Sequence, residues 1–111
     1  MLFMLLAYDE NQDKKLLKVA KQLCDWFIAI SPNEVIYKLN LYQIIKRERE
    51  LSVQEKQSLL VLLADSDSDF NKIAIYLLLE NQEMASLYFN RLSMKDQTAF
   101  ISFPIYYFWK K

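Results

Sequence analysis

Apolar residues recur at helical spacing along the whole chain, and they nowhere alternate with polar residues for long enough to predict a strand. One such stripe comprises Leu16, Ala20, Leu23 and Phe27. This spacing is typical of amphipathic helices. We therefore predict an all-α fold of about seven helices. The connections are short, which makes successive helices antiparallel.

Local signals predict where several helices begin and end. The second helix is predicted to begin at Asp13, and Asn33 is a suitable N-cap for the third helix. Residues 52–55 have the capping-box pattern, and residues 93–96 predict a similar start for a short last helix. Pro104 is predicted to stop that last helix, because the residue before a proline is pushed out of helical geometry.

The composition excludes most catalytic and metal sites. The chain has no glycine, no histidine and a single cysteine, so it cannot form a glycine-dependent phosphate loop, a Ser-His-Asp triad, a His/Cys zinc site or an internal disulfide. The acidic run 65–69 resembles the opening of a calcium loop, but Phe70 and Tyr76 stand where glycine and glutamate are needed. We predict a protein that is not an enzyme and that binds no metal or cofactor.

The net charge and the hydropathy of the chain indicate which classes of partner are not expected. Fourteen basic and fourteen acidic residues cancel, which disfavours nucleic acid as a partner. No apolar run approaches the ~18 residues of a membrane span, so a membrane is not expected either. A lone Cys24 and the lack of an export signal favour the cytoplasm. The Lys-, Asn- and Ile-rich usage is compatible with a bacterium, and the apolar start 1–7 suggests a fragment of a longer protein.

Small, aromatic and proline residues recur at a spacing that suggests stacked helical hairpins. The first set is Ala20, Phe27 and Pro32, and the second is Tyr76, Ala85, Phe89 and Leu92. This pattern resembles the tetratricopeptide repeat, a 34-residue helix-turn-helix unit. The middle unit, 34–65, has the right length but carries Gln54 where a small residue is usual. The tryptophan of the repeat is absent, and Tyr8, Tyr42 and Ile73 replace its glycine.

The resemblance implies a single domain over residues 1–111, with antiparallel hairpins stacked as a short superhelix. It also implies that Asn40 and Asn71 occupy equivalent places facing a concave groove. A side-chain amide there can both donate to and accept from an extended peptide backbone. Gln43 and Arg47 follow Asn40 at one and two helical turns, so we predict these four residues as peptide-binding. Ordinary exposed or capping amides are the alternative.

The C-terminal segment, 100–111, concentrates six aromatic residues and ends in two lysines. Such a segment either folds back to cap the last hairpin or forms an interface, since aromatic side chains are favoured at interfaces. The candidate interface residues are Phe103, Tyr106, Tyr107, Phe108 and Trp109.

The sequence therefore predicts a non-catalytic module that binds a protein or a peptide, for example as the sensor or interaction domain of a bacterial regulator. The alternative is a structural oligomerisation or capping domain of a larger protein, in which the aromatic segment supports a homodimer.

Overall fold

The computed structural model describes residues 2–109, and the predicted all-α class is confirmed: this part of the chain has no strand. Its elements, in chain order, are α1 (Leu2–Asn11), α2 (Lys14–Ile30), α3 (Val35–Glu48), α4 (Val53–Ala64), α5 (Asp69–Leu78), α6 (Gln82–Phe89), α7 (Met94–Ile101) and a 3₁₀ helix (Pro104–Phe108). None of these helices has the length and apolar character that a membrane crossing requires. Met1, Lys110 and Lys111 lie outside the described residues.

The chain divides into two compact units, one ending at Glu50 and the other beginning at Leu51. The first unit contains α1 to α3, and the second contains α4 to α7 and the 3₁₀ helix. The predicted middle hairpin, 34–65, is therefore divided between them. A single domain over 1–111 and a stacked superhelix both stay predictions.

The first unit is organised around α2, which contacts both α1 and α3. Its core residues are Leu5, Tyr8, Leu17, Ala20, Cys24 and Ile44. The small Ala20 side chain is fully buried. On α2 the buried face is centred on Leu17 and Cys24, so Leu16 and Phe27 of the predicted stripe lie half-buried at the edge of the core.

The thiol of Cys24 belongs to this core, as its place beside the apolar stripe indicated. Burial, together with the nearby Asp25 carboxylate, raises the pKa of Cys24 from its ordinary value of 9.0 to about 11. The thiol is consequently protonated at neutral pH, and a protonated thiol is a poor nucleophile.

The second unit is organised around α5, which contacts α4, α6 and the 3₁₀ helix. Half of this ten-residue helix is buried, namely Ile73, Ala74, Ile75, Leu77 and Leu78. Helix α7 is joined to α6 by an edge-on contact between the rings of Phe100 and Phe89, whose centroids are 5.9 Å apart. The Gln97 side-chain amide also donates to the carbonyl oxygens of Phe89 and Leu92, each at 3.2 Å.

Three predicted helix starts are confirmed. Asp13 caps α2 by accepting from the Lys15 amide at 3.0 Å. Ser52 and Glu55 form the predicted capping box of α4, and Ser93 caps α7 by accepting from the Asp96 amide.

Two other boundaries differ from the prediction. Asn33 does not cap α3, because the N-cap is Glu34 and its side chain makes no capping hydrogen bond. Helix α7 ends at Ile101, short of Pro104, and Pro104 begins the 3₁₀ helix. A fixed φ and a missing amide hydrogen suit proline to a first helical position as well as to a stop.

Two turns adopt a left-handed backbone without glycine. Gln12 has φ of 58° after α1, and Glu80 has φ of 63° after α5. At the second turn the Glu80 amide donates to the Leu77 carbonyl at 3.1 Å, and the Asn81 amide donates to the Tyr76 carbonyl at 2.8 Å. This pairing is a Schellman motif, which normally places glycine where Glu80 stands.

We expect Glu80→Gly to stabilise the chain by about 0.5–1 kcal/mol, because glycine enters the left-handed region without the steric cost of a Cβ atom. The free energy of unfolding from urea titration measures the gain. Glu83→Gly is the matched control, since it removes the same side chain from the first turn of α6 and should destabilise by a similar amount. A loss of stability in Glu80→Gly would contradict the left-handed backbone assigned to Glu80.

Candidate functional site

The predicted peptide-binding residues of α3 share one face of that helix. Asn40, Gln43 and Arg47 follow one another at spacings of three and four residues. The Gln43 Nε2 atom donates to Asn40 Oδ1 at 3.4 Å. Gln43 is only 5% exposed, and its Oε1 atom has no hydrogen-bond partner within residues 2–109. If the oxygen and nitrogen of both amides are exchanged, Gln43 Nε2 lies where Oε1 lies now and has no acceptor. One buried polar atom is therefore unsatisfied in either assignment.

The Arg47 guanidinium is bound within the first unit. Its Nε and Nη2 atoms donate to the two carboxylate oxygens of Asp9 at 2.7 and 2.8 Å, and its Nη1 atom donates to the Gln43 carbonyl at 3.1 Å. The Arg47 side chain is fully buried, and that of Asp9 is 15% exposed. This bidentate pair ties α1 to α3 across 38 positions of sequence.

Asn71 lies near the start of α5, in the second unit, and is half-buried. Its backbone amide donates to the Ser68 hydroxyl at 3.3 Å, so its main chain takes part in the cap of α5. Asn40, Gln43 and Arg47 belong to the first unit. The shared groove predicted for these four residues therefore stays a prediction.

The aromatic C-terminal segment packs on its own unit. Phe103 contacts the rings of Phe70 and Phe100, with centroids 5.9 and 6.2 Å away. Trp109 packs edge-on against Phe89 at 5.3 Å and stacks on Tyr106 at 6.0 Å. The segment thus covers part of the second unit, as a capping segment would.

Not all of this segment is covered, however. Phe103 remains 40% exposed and Tyr107 remains 53% exposed, whereas Tyr106, Phe108 and Trp109 are half-buried. Two of the five candidate interface side chains therefore present much of their surface to solvent.

A surface that the sequence analysis missed lies on α2. Val19, Trp26 and Ile30 are 43%, 59% and 59% exposed. Their spacings of seven and four residues place them within a sector of about 40° around the helix axis. We call these three residues the α2 stripe. It spans about 16 Å, or three helical turns.

The centre of the α2 stripe is held in place by aromatic packing. The Trp26 ring meets the Phe27 ring edge-on, with centroids 5.2 Å apart. Phe27 in turn stacks on Tyr37 of α3 at 5.0 Å, with the ring planes 14° apart. Trp26 is therefore a large exposed side chain whose neighbour is fixed to the next helix.

Four lysines lie on α2, namely Lys14, Lys15, Lys18 and Lys21. At 100° per residue, Lys15 lies about 40° from the centre of the α2 stripe and Lys18 about 100° from it, both on the side away from the core, whereas Lys14 and Lys21 lie on the opposite side of the helix. All four are exposed. None forms an ion pair with another residue of the described chain. Asp25 is the one acidic residue within α2. It lies about 20° from Lys18 around the helix axis but two turns further along, so the part of this flank that holds Lys15 and Lys18 is basic although the whole chain is neutral.

The described residues contain no group of three His, Cys, Asp or Glu side chains that could hold a metal ion. Comparison with known proteins gave no matching family model, no matching curated protein and no matching solved structure. The resemblance to the tetratricopeptide repeat stays a prediction.

We expect Asp9→Asn to destabilise the first unit by about 2–4 kcal/mol, because a buried guanidinium would lose its charged partner. Urea unfolding measures the loss. Glu10→Gln, at an exposed neighbouring position of α1, should stay within about 0.5 kcal/mol of the parent chain.

The pairing itself is tested by a double-mutant cycle with Arg47→Met. The double variant Asp9→Asn, Arg47→Met should lose less stability than Asp9→Asn and Arg47→Met together, because neither charge is then left buried alone. Additive losses would show that the two side chains do not interact.

Proposed function

We propose that the protein is a non-catalytic module that binds another protein or a peptide. The observation that carries the proposal is the α2 stripe, in which three large apolar side chains remain exposed on one side of a helix. Burying them would remove apolar area from water, which is the main favourable contribution to most association. Contiguous apolar patches on a soluble protein commonly mark such sites.

Trp26 is the expected anchor of this surface. Tryptophan is enriched among the few residues that supply most of the binding energy at interfaces. The Trp26 ring meets Phe27 edge-on, and Phe27 is stacked on Tyr37. This packing limits the side-chain freedom that Trp26 would lose on binding, and that loss is one of the costs of association.

The polar residues of α3 support a second mode of binding within the same function. Asn40 carries a half-buried amide, and Gln43 carries an acceptor without a donor. An extended peptide backbone offers donors of the kind that such an acceptor needs. In this proposal Arg47 positions α3 through Asp9.

The tetratricopeptide-like stacking and a bacterial, cytoplasmic setting remain part of the proposal. The buried alanines support the stacking, because Ala20 and Ala85 are both fully buried at the small-residue positions of the two matching sequence sets. The cytoplasmic setting rests on the single thiol of Cys24.

A selection experiment tests the α2 stripe. Helical peptides displayed on phage are selected on the full chain, and the recovered peptides are then measured against Trp26→Ser, Ile30→Ser. We expect affinity to fall at least about thirtyfold, which corresponds to the loss of an anchor worth about 2 kcal/mol.

The matched control is Leu87→Ser, Met94→Ser, which removes two exposed apolar side chains from α6 and α7. It should leave affinity within about twofold of the parent chain, a difference too small to count as a binding effect. Peptides that bind all three chains equally well would contradict the proposal.

The alternative function, structural oligomerisation, is favoured by the exposure of Tyr107 and Phe103. Under this alternative we expect the chain to sediment as a dimer, and Tyr107→Ser to sediment as a monomer that keeps the helical circular dichroism of the parent chain. Leu87→Ser is the control, because it removes another exposed side chain from the same unit. A parent chain that sediments as a monomer at about 100 μM would rule out a dimer with a low-micromolar Kd.

A further inference from the structure

The lysines of α2 lie at positions where they lower the stability of the helix. Lys14 and Lys15 occupy the first turn, where the helix dipole presents positive charge and favours acidic side chains. Lys18 adds like-charge pairs with Lys14, Lys15 and Lys21 at spacings of three and four residues, and each such pair is unfavourable.

The four helices of the second unit follow the usual rule, whereas α1 and α3 have no acidic residue in their first turn. The first turns of those four helices contain an acidic residue, which is Glu55 in α4, Asp69 in α5, Glu83 in α6 and Asp96 in α7. The basic first turn of α2 is therefore not a general property of the chain. Local conflicts of this kind are expected where a sequence serves binding as well as folding.

We infer that the α2 stripe binds an amphipathic helix of a partner protein whose flanking residues are acidic. The inference rests on the proposed function and adds the chemical class of the partner. Glutamate or aspartate beside the partner's apolar face would meet Lys15 and Lys18, and this charge complementarity is absent from the isolated chain.

The dimensions of the surface favour a helix as its occupant. The α2 stripe is one side chain wide and about three turns long, which matches the apolar seam of one short helix. Its charge lies on one flank only, because the other flank is the core side of α2. A membrane surface, by contrast, would surround the inserted side chains with lipid headgroups on both flanks, although the core side of α2 carries no basic residue.

The test uses two stapled three-turn peptides with the same leucine face. One carries glutamate on both flanks, and the other carries lysine. We expect the acidic peptide to bind the full chain at least about tenfold more tightly than the basic peptide in low salt, and the ratio to shrink as salt rises.

The charge assignment is tested with Lys15→Gln, Lys18→Gln. This variant should reduce the preference for the acidic peptide to about threefold or less, because its flank is nearly neutral. Lys56→Gln, Lys95→Gln is the matched control, since it removes the same charge from exposed lysines of α4 and α7. Circular dichroism confirms that each variant is folded.

Three outcomes would overturn the inference. The first is equal binding of the two peptides, and the second is an equal loss of preference in both lysine variants, which would indicate unspecific attraction. The third is tighter binding to phosphatidylserine vesicles than to the acidic peptide, abolished by Trp26→Ser, which would assign the surface to a membrane. If both peptides bind equally but Trp26→Ser abolishes their binding, the acidic partner is wrong and the proposed function stands.

Discussion

Helix α2 carries more apolar surface than its neighbours cover, and the proposed binding function depends on this excess. Leu17, Ala20 and Cys24 are buried against the rest of the first unit. Trp26 and Ile30 lie on a different side of the same helix and remain mostly exposed. A helix with one apolar stripe needs one partner, whereas a helix with a wider apolar sector can hold its own unit together and still bind a second surface.

Local signals explain how much of the fold could be predicted from the sequence. The all-α class and the caps at Asp13, Ser52 and Ser93 depend on residues within a few positions of each other. Which face of α2 is buried could not be predicted in the same way, because either edge of a wide apolar sector can pack into the core. The choice is made by helices α1 and α3, which contact α2 from elsewhere in the chain.

The candidate site shows the same division between local and distant effects. The Asn40–Gln43 contact follows from a spacing of three residues on one helix, and the sequence placed both residues on one face. The partner of Arg47 could not be predicted, because Asp9 is 38 positions away and nothing in the sequence marks it. Arg47 was predicted to meet a peptide, yet its guanidinium already has a carboxylate partner within the first unit.

Positive charge occurs in two different settings in this chain, one buried with an acidic partner and one exposed without one. Arg47 is fully buried and bidentately bound by Asp9, so its charge is balanced in the folded chain. Lys14, Lys15 and Lys18 are exposed and have no acidic partner among the described residues. Solvated lysines cost a helix only a few tenths of a kcal/mol per like-charge pair, which a folded protein tolerates. Because that cost is small, the lysines can remain unbalanced until an acidic surface approaches.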